Sequence, residues 1–114
     1  MRNDASRLQD ILEALARVEK YAVRGREDFA RDELIQTWIV DHLQIIGEAA
    51  RRVSDALRTR HPEIPWPQII AMRNILVHDY FSVDQDEVWA AVERDLPDLK
   101  RKIEGALRAI GEEA

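Results

Sequence analysis

The stretch Ile35-Gln36-Thr37-Trp38-Ile39-Val40-Asp41-His42-Leu43-Gln44-Ile45-Ile46-Gly47-Glu48-Ala49-Ala50 decides the fold. Ile35, Ile39, Leu43, Ile46 and Ala50 recur at three- and four-residue steps, and Val53 and Leu57 carry the stripe onward. The spacing predicts one long helix over roughly 31–59. Leu34, Trp38, Ile45, Ala49 and Ala56 widen the stripe beyond what one neighbouring helix needs. Burial on two sides is expected, once inside a bundle and once against a second copy of the chain. Gly47 costs about 1 kcal/mol relative to alanine within a helix. Beside Ala49 and Ala50 it lets another backbone come close. Glu48 is either a solvated carboxylate or a group that orients Arg73 across the bundle. His42, among apolar residues, reads as a satisfied helix histidine rather than a catalyst.

Working outward, residues 5–22 repeat the pattern with Leu8, Ile11, Leu12, Leu15, Val18 and Ala22, and Asp4 is the expected N-cap. Val23 to Asp32, with Gly25 and several charges, reads as a connection from which Phe29 returns to the core. On the other side, His61-Pro62-Glu63-Ile64-Pro65-Trp66-Pro67 makes a stiff turn, with Pro67 in the first turn of the next helix. Trp66 is expected to anchor that turn rather than to stack a base. His61, taken as exposed beside Arg58 and Arg60, is a weaker phosphate contact. A helix over about 66–79 shows Ile69, Ile70, Met72, Ile75 and Leu76 as its core face. Ser82 or Asp84 caps a further helix, 85–94, with Val88, Trp89 and Val92 inward. Pro97 starts or kinks a final helix through Leu99, Ile103, Leu107 and Ile110 to Gly111. No strand pattern or internal repeat interrupts this. The expected fold is all-α: an antiparallel bundle of four to five helices around one long central helix, in a single domain over 1–114.

At 114 residues the chain is long enough for one unstapled core. It has no cysteine, so no disulfide or thiolate metal site. No leader pattern follows Met1, and no apolar run is long enough to cross a bilayer, so a cytoplasmic setting is expected. The histidines, at 42, 61 and 78, have no metal-ligand spacing, and there is no glycine-rich phosphate loop. No cofactor is expected. Seventeen Lys and Arg against twenty-two Asp and Glu leave a net charge of −5, which argues against a general nucleic-acid binder. Positive charge is nevertheless concentrated at Arg51, Arg52, Arg58 and Arg60, with Asp55 the only acid between Arg51 and His61.

The chemistry is concentrated in Arg73-Asn74-Ile75-Leu76-Val77-His78-Asp79-Tyr80. Asn74 and His78, four apart, share a helix face; Arg73 and His78 project about 140° apart on an ideal helix. A histidine moves protons near neutral pH, and a guanidinium holds a phosphate and stabilises charge developing on it. Together they suit attack of an RNA 2′-hydroxyl on its own phosphate. The other reading is a buried polar network that fixes helix packing.

Arg73, four residues, His78, one residue, Tyr80, with Asn74 after the arginine, resembles the signature of the HEPN superfamily. More narrowly it resembles the HepT toxins of HepT/MntA toxin–antitoxin pairs. Gly47-Glu48-Ala49-Ala50, Ile64-Pro65-Trp66, Phe81-Ser82-Val83-Asp84, Trp89 and Asp95-Leu96-Pro97 fall in matching order. The resemblance implies a HEPN-like bundle and a metal-independent endoribonuclease whose cleft forms in a homodimer. It implies Arg73 and His78 as the catalytic pair; beside them, Asn74 would bond His78 or the phosphate, and Glu48 is a supporting candidate. Tyr80 matches the tyrosine that an MntA-like nucleotidyltransferase antitoxin modifies with AMP. Arg51, Arg52, Arg58 and Arg60 are the candidate RNA contacts. A second reading is a non-catalytic helical module that dimerises and binds a nucleotidyltransferase partner.

Overall fold

Four long helical rods make the body of the protein, seen in a computed structural model that describes residues 3–79 and 82–113. They are α1 (Asp4–Ala22), α3 (Glu33–Arg52), α5 (Trp66–His78) and a rod formed by α6 (Gln85–Ala90), a π-helical turn (Ala91–Asp95) and α7 (Leu96–Glu113). Two short helices, α2 (Arg26–Arg31) and α4 (Asp55–Arg60), lie in the connections. The bundle is all-α, and no strand occurs among the described residues.

The central helix is α3, with α1 and α5 packed against it. Both neighbours run antiparallel to it. Trp38, early in α3, donates to the Arg17 carbonyl late in α1 at 2.8 Å. Gln44, midway along α3, reaches the Leu76 carbonyl near the end of α5 at 3.3 Å. Lys100 of α7 meets Glu19 of α1 at 3.3 Å, so α7 also runs against α1. Leu8, Ile11 and Leu15 of α1 interlock with Ile39, Leu43 and Ile46 of α3 and with Ile103 of α7, all sealed from solvent. This apolar interior supplies the main favourable term in folding.

Several boundaries depart from the expected ones, each for a local reason. Asn3, not Asp4, caps α1, accepting from the Ser6 N–H at 2.9 Å. Asp4 instead accepts from Ser54, at 2.9 Å from its N–H and 2.6 Å from its hydroxyl. Ser54 in turn accepts from the Leu57 N–H at 3.2 Å. That bond makes Ser54 a cap, so the expected 31–59 helix breaks there into α3 and α4. Val53 is extended at the break, with φ −66° and ψ 141°. Val53 and Leu57 stay buried on either side, so the stripe outlasts the helix.

The connection after α1 contains α2, whose Phe29 is buried as expected and lies 5.3 Å from the Trp89 ring. The expected 85–94 helix does not stop before the last one. Leu96 donates five residues back, to Ala91. This widened turn sits just ahead of Pro97, which has no N–H to give and would crowd an α-helical carbonyl. On α5, Ile69 and Leu76 are buried and Ile70 and Met72 partly so, but Ile75 is 57% exposed. Leu34 and Ile45 are likewise exposed within one chain, at 81% and 46%, and Ala56 is exposed too. Bundle packing alone therefore does not account for the breadth of the apolar stripe. No described helix is long and apolar enough to cross a membrane.

Candidate active site

Helices α3 and α5 approach tightly at Gly47. A Cβ there would lie 2.8 Å from Arg73 Cγ, nearer than real Cβ atoms settle, and at a tight 3.2 Å from the Ile69 carbonyl oxygen. The glycine thus brings the root of the Arg73 side chain onto the α3 backbone.

From that point the Arg73 side chain, 22% exposed, turns toward Glu48, with Nη2 3.4 Å from Oε2. Its Nη1 donates to Asn74 Oδ1 at 3.0 Å. The second bond matters for direction. Arg73 leaves α5 on the face toward α3, whereas Asn74 and His78 lie on the open face. Asn74 thus ties the guanidinium to the face of α5 that also carries His78. The amide therefore bonds to Arg73 here, where His78 or a phosphate was expected as its partner.

Glu48 holds two further arginines. Arg51 donates from Nη2 to Oε1 at 2.9 Å and from Nε to Oε2 at 3.3 Å. Arg52 donates from Nε to Oε1 at 2.8 Å. Bonds from Arg51 and then from Arg52 outweigh desolvation and pull the Glu48 carboxyl down to about 2. Glu48 thus hydrogen-bonds Arg51 and Arg52 on its own helix, and its contact with Arg73 across the bundle is the longer ion pair at 3.4 Å. Three guanidiniums around one carboxylate leave a local surplus of positive charge in a chain of net −5. Such a cluster can hold a phosphate.

His78 is the last residue of α5 and is exposed. The helix end beneath it is held by Gln44, and the Asp79 N–H closes it by donating to the Ile75 carbonyl at 2.9 Å. Gln44 was not singled out in the sequence, although a polar residue three positions before Gly47 on a largely apolar helix is a signal for it. Tyr80 lies outside the described residues.

The remaining candidates fall elsewhere. Arg58 closes the C-terminus of α3, donating from Nη2 to the Arg51 carbonyl at 2.7 Å and to the Val53 carbonyl at 2.9 Å. Arg60 is exposed at the end of α4. His61 is not exposed as expected: its side chain is 16% exposed and lies 3.1 Å from Glu63 Oε1. Trp66 is buried and donates to the His61 carbonyl at 3.0 Å, which is the anchoring role expected of it. His42 Nδ1 lies 2.6 Å from the Trp38 carbonyl one turn back, again as expected. Among the described residues no three His, Cys, Asp or Glu side chains gather as a metal site. A cleft of about 500 Å³ between α5 and the start of α7, lined by Ile69, Met72, Leu96 and Leu99, opens on the opposite flank of α5 from Asn74.

The model of the family described as "Ribonuclease HepT-like" matches residues 11–106. The chain belongs to the HepT-like ribonuclease family. "Probable ribonuclease HepT" of Thermococcus cleftensis is 40% identical over 98 residues, 85% of this chain and 89% of that one. "Putative RNase MJ1380" of Methanocaldococcus jannaschii is 34% identical over 98 residues, 85% of this chain and 90% of that one. No solved structure matches. The HepT-like match takes in the whole cluster, from Glu48 to His78.

Acid titration checks the Glu48 cluster in this HepT-like protein. The folded-state pKa of Glu48, about 2, lies below its ordinary 4.5. Its contribution to stability is therefore complete above pH 4.5 and is lost as the pH falls through 2. Glu48→Gln should melt below wild type at pH 6, and the difference should close by pH 2. The gap at pH 6 should be modest, because Arg51 and Arg52 are half exposed and solvent screens their pairs with Glu48. Thermal melts across this range measure it, and a constant offset would contradict the assignment.

Proposed function

We propose that this chain is a metal-independent endoribonuclease, the toxin of a type VII toxin–antitoxin pair, working through Arg73 and His78 in a homodimer cleft. The observation that carries this is the Arg73 guanidinium, paired with Glu48 and bonded to Asn74, which lies on the helix face that also exposes His78. Membership of the HepT-like ribonuclease family and relatives named as ribonucleases support the substrate class.

In the proposed reaction His78 takes the proton of an RNA 2′-hydroxyl, and that oxygen attacks the adjacent phosphorus. The P–O5′ bond breaks, leaving a 2′,3′-cyclic phosphate, and the departing 5′-oxygen receives a proton from the partner's His78. Arg73 bears the charge that grows on the phosphate oxygens. Arg51 and Arg52 extend the positive field along the strand.

The two-subunit cleft rests on exposed apolar surface beside the histidine. Ile75 is 57% and Val77 41% exposed on α5, and Ile45 is 46% exposed on α3. A second copy would cover these residues and bring a second His78 to the cleft. Neutralisation would follow from attaching AMP to Tyr80, two positions after His78, which places an anion where the RNA phosphate must sit.

The test has two arms. The purified chain alone should cut single-stranded RNA to fragments ending in a cyclic phosphate; intact RNA would remove the nuclease reading. With an MntA-like nucleotidyltransferase and ATP, wild type should gain AMP by intact mass and lose cleavage, whereas Tyr80→Phe should gain none. Equal gain by both proteins would remove Tyr80 as the site.

A further inference from the structure

Beside the arginine cluster, on the flank of α5 away from the α7 cleft, a groove of about 550 Å³ runs between α4 and α5. Its floor is Pro67, Ile70 and Ala71; Arg58 and Thr59 form the far wall, and Asn74 stands at one end. Asn74 is the residue bonded to the Arg73 guanidinium, so the groove opens onto the proposed phosphate site. We propose that this groove seats one unpaired nucleotide of a single-stranded RNA, next to the phosphate held at Arg73. The inference rests on the nuclease reading above and names where the flanking base goes.

Three observations carry it. First, the floor is apolar and solvent-facing, with Pro67 and Ala71 exposed and Ile70 half-buried. An unstacked base needs such a surface, because its faces are apolar and its edges are polar. Second, the Arg58 guanidinium is fixed in the wall by its bonds to the Arg51 and Val53 carbonyls. A guanidinium ordered in advance offers a flat cationic surface at little entropic cost on binding. Third, the charge is complementary. Among the described residues lining the groove and the cluster at its end, Glu48 is the only carboxylate, against Arg51, Arg52, Arg58 and Arg73. The volume falls within the range of small-ligand sites. A paired helix would not enter, since its bases are stacked inside.

Thr59→Glu tests the proposal. Thr59 is exposed on α4 and is neither one of the catalytic pair nor one of the apolar residues assigned to the second subunit. The probe is a short oligoribonucleotide with every 2′-hydroxyl methylated, which binds but lacks the attacking group. Thr59→Glu, with unchanged circular dichroism and oligomeric state, should bind it about tenfold more weakly. An abasic sugar scanned along the oligonucleotide should weaken wild-type binding at one position and leave Thr59→Glu indifferent there. Equal binding by the two proteins, with no position sensitive in wild type, would overturn the groove while leaving cleavage by Arg73 and His78 standing. Failure of wild type to bind or cut any single-stranded RNA would overturn the groove and the nuclease reading together.

Discussion

His78→Ala should lower RNA cleavage by about a thousandfold while leaving the melting temperature within a degree or two of wild type. The two halves of that expectation have separate physical origins. His78 is exposed at the last position of α5, so truncating it opens no cavity. The helix end is closed by Gln44 and the Asp79 N–H, neither of which uses the imidazole. The expected activity loss follows from the proposed role of His78 in taking the 2′-hydroxyl proton. Arg73→Ala should cost about a hundredfold or more, as loss of a charge-stabilising donor typically does. It too should fold, because Arg51 and Arg52 still neutralise Glu48. Combining the two should cost less than the product of the single losses, since both act on one transition state. Gel assays beside thermal melts give both readouts. A well-folded His78→Ala protein that cuts RNA at the wild-type rate would remove the histidine from the mechanism.

Gly47→Ala should destabilise the protein by up to about 2 kcal/mol, opposite in sign to what helix propensity predicts. Propensity alone favours alanine by about 1 kcal/mol inside a helix. Overpacking at a tight crossing costs about 1–3 kcal/mol, and here the new methyl would meet the root of Arg73 and the Ile69 carbonyl rather than a yielding side-chain tip. The two helices must separate. Separation carries Arg73 away from Glu48, so cleavage should fall with stability. Gly105→Ala is the control, because its nearest neighbour is the tip of Arg108 at 3.9 Å. That change should raise stability by a few tenths of a kcal/mol to about 1 kcal/mol. Urea melts of both variants decide the matter. A stabilised Gly47→Ala protein would mean that the helices cross with slack.

Most of the fold was legible because helical periodicity and caps are local. The long stripe from Ile35 to Ala50, the turn around Pro65 and the motif helix ending at His78 all lie where the spacing places them. Arg73, Asn74, His78 and Glu48 stand out in the sequence by their chemistry and order, and the structure brings Glu48 and Asn74 onto Arg73. Even Gly47 announced a close approach, since a glycine amid strong helix formers is otherwise costly.

Other features depended on residues far apart in the chain. Ser54 caps Leu57 locally, but its bonds to Asp4, fifty positions earlier, lie outside any window around it. The exposure of Ile75 depends on which face of α5 the bundle leaves open, and an apolar residue reads the same on either face. Above all, the side on which Arg73 presents its charge was undetermined. An ideal helix points it about 140° from His78, and only the crossing at Gly47, with Glu48 reaching over from α3 and Asn74 beside it, fixes where the guanidinium is held. Sequence alone determined which groups are present and along which rods they run. Tertiary structure decided which of them meet, because a contact between two helices depends on how closely and at what register they cross.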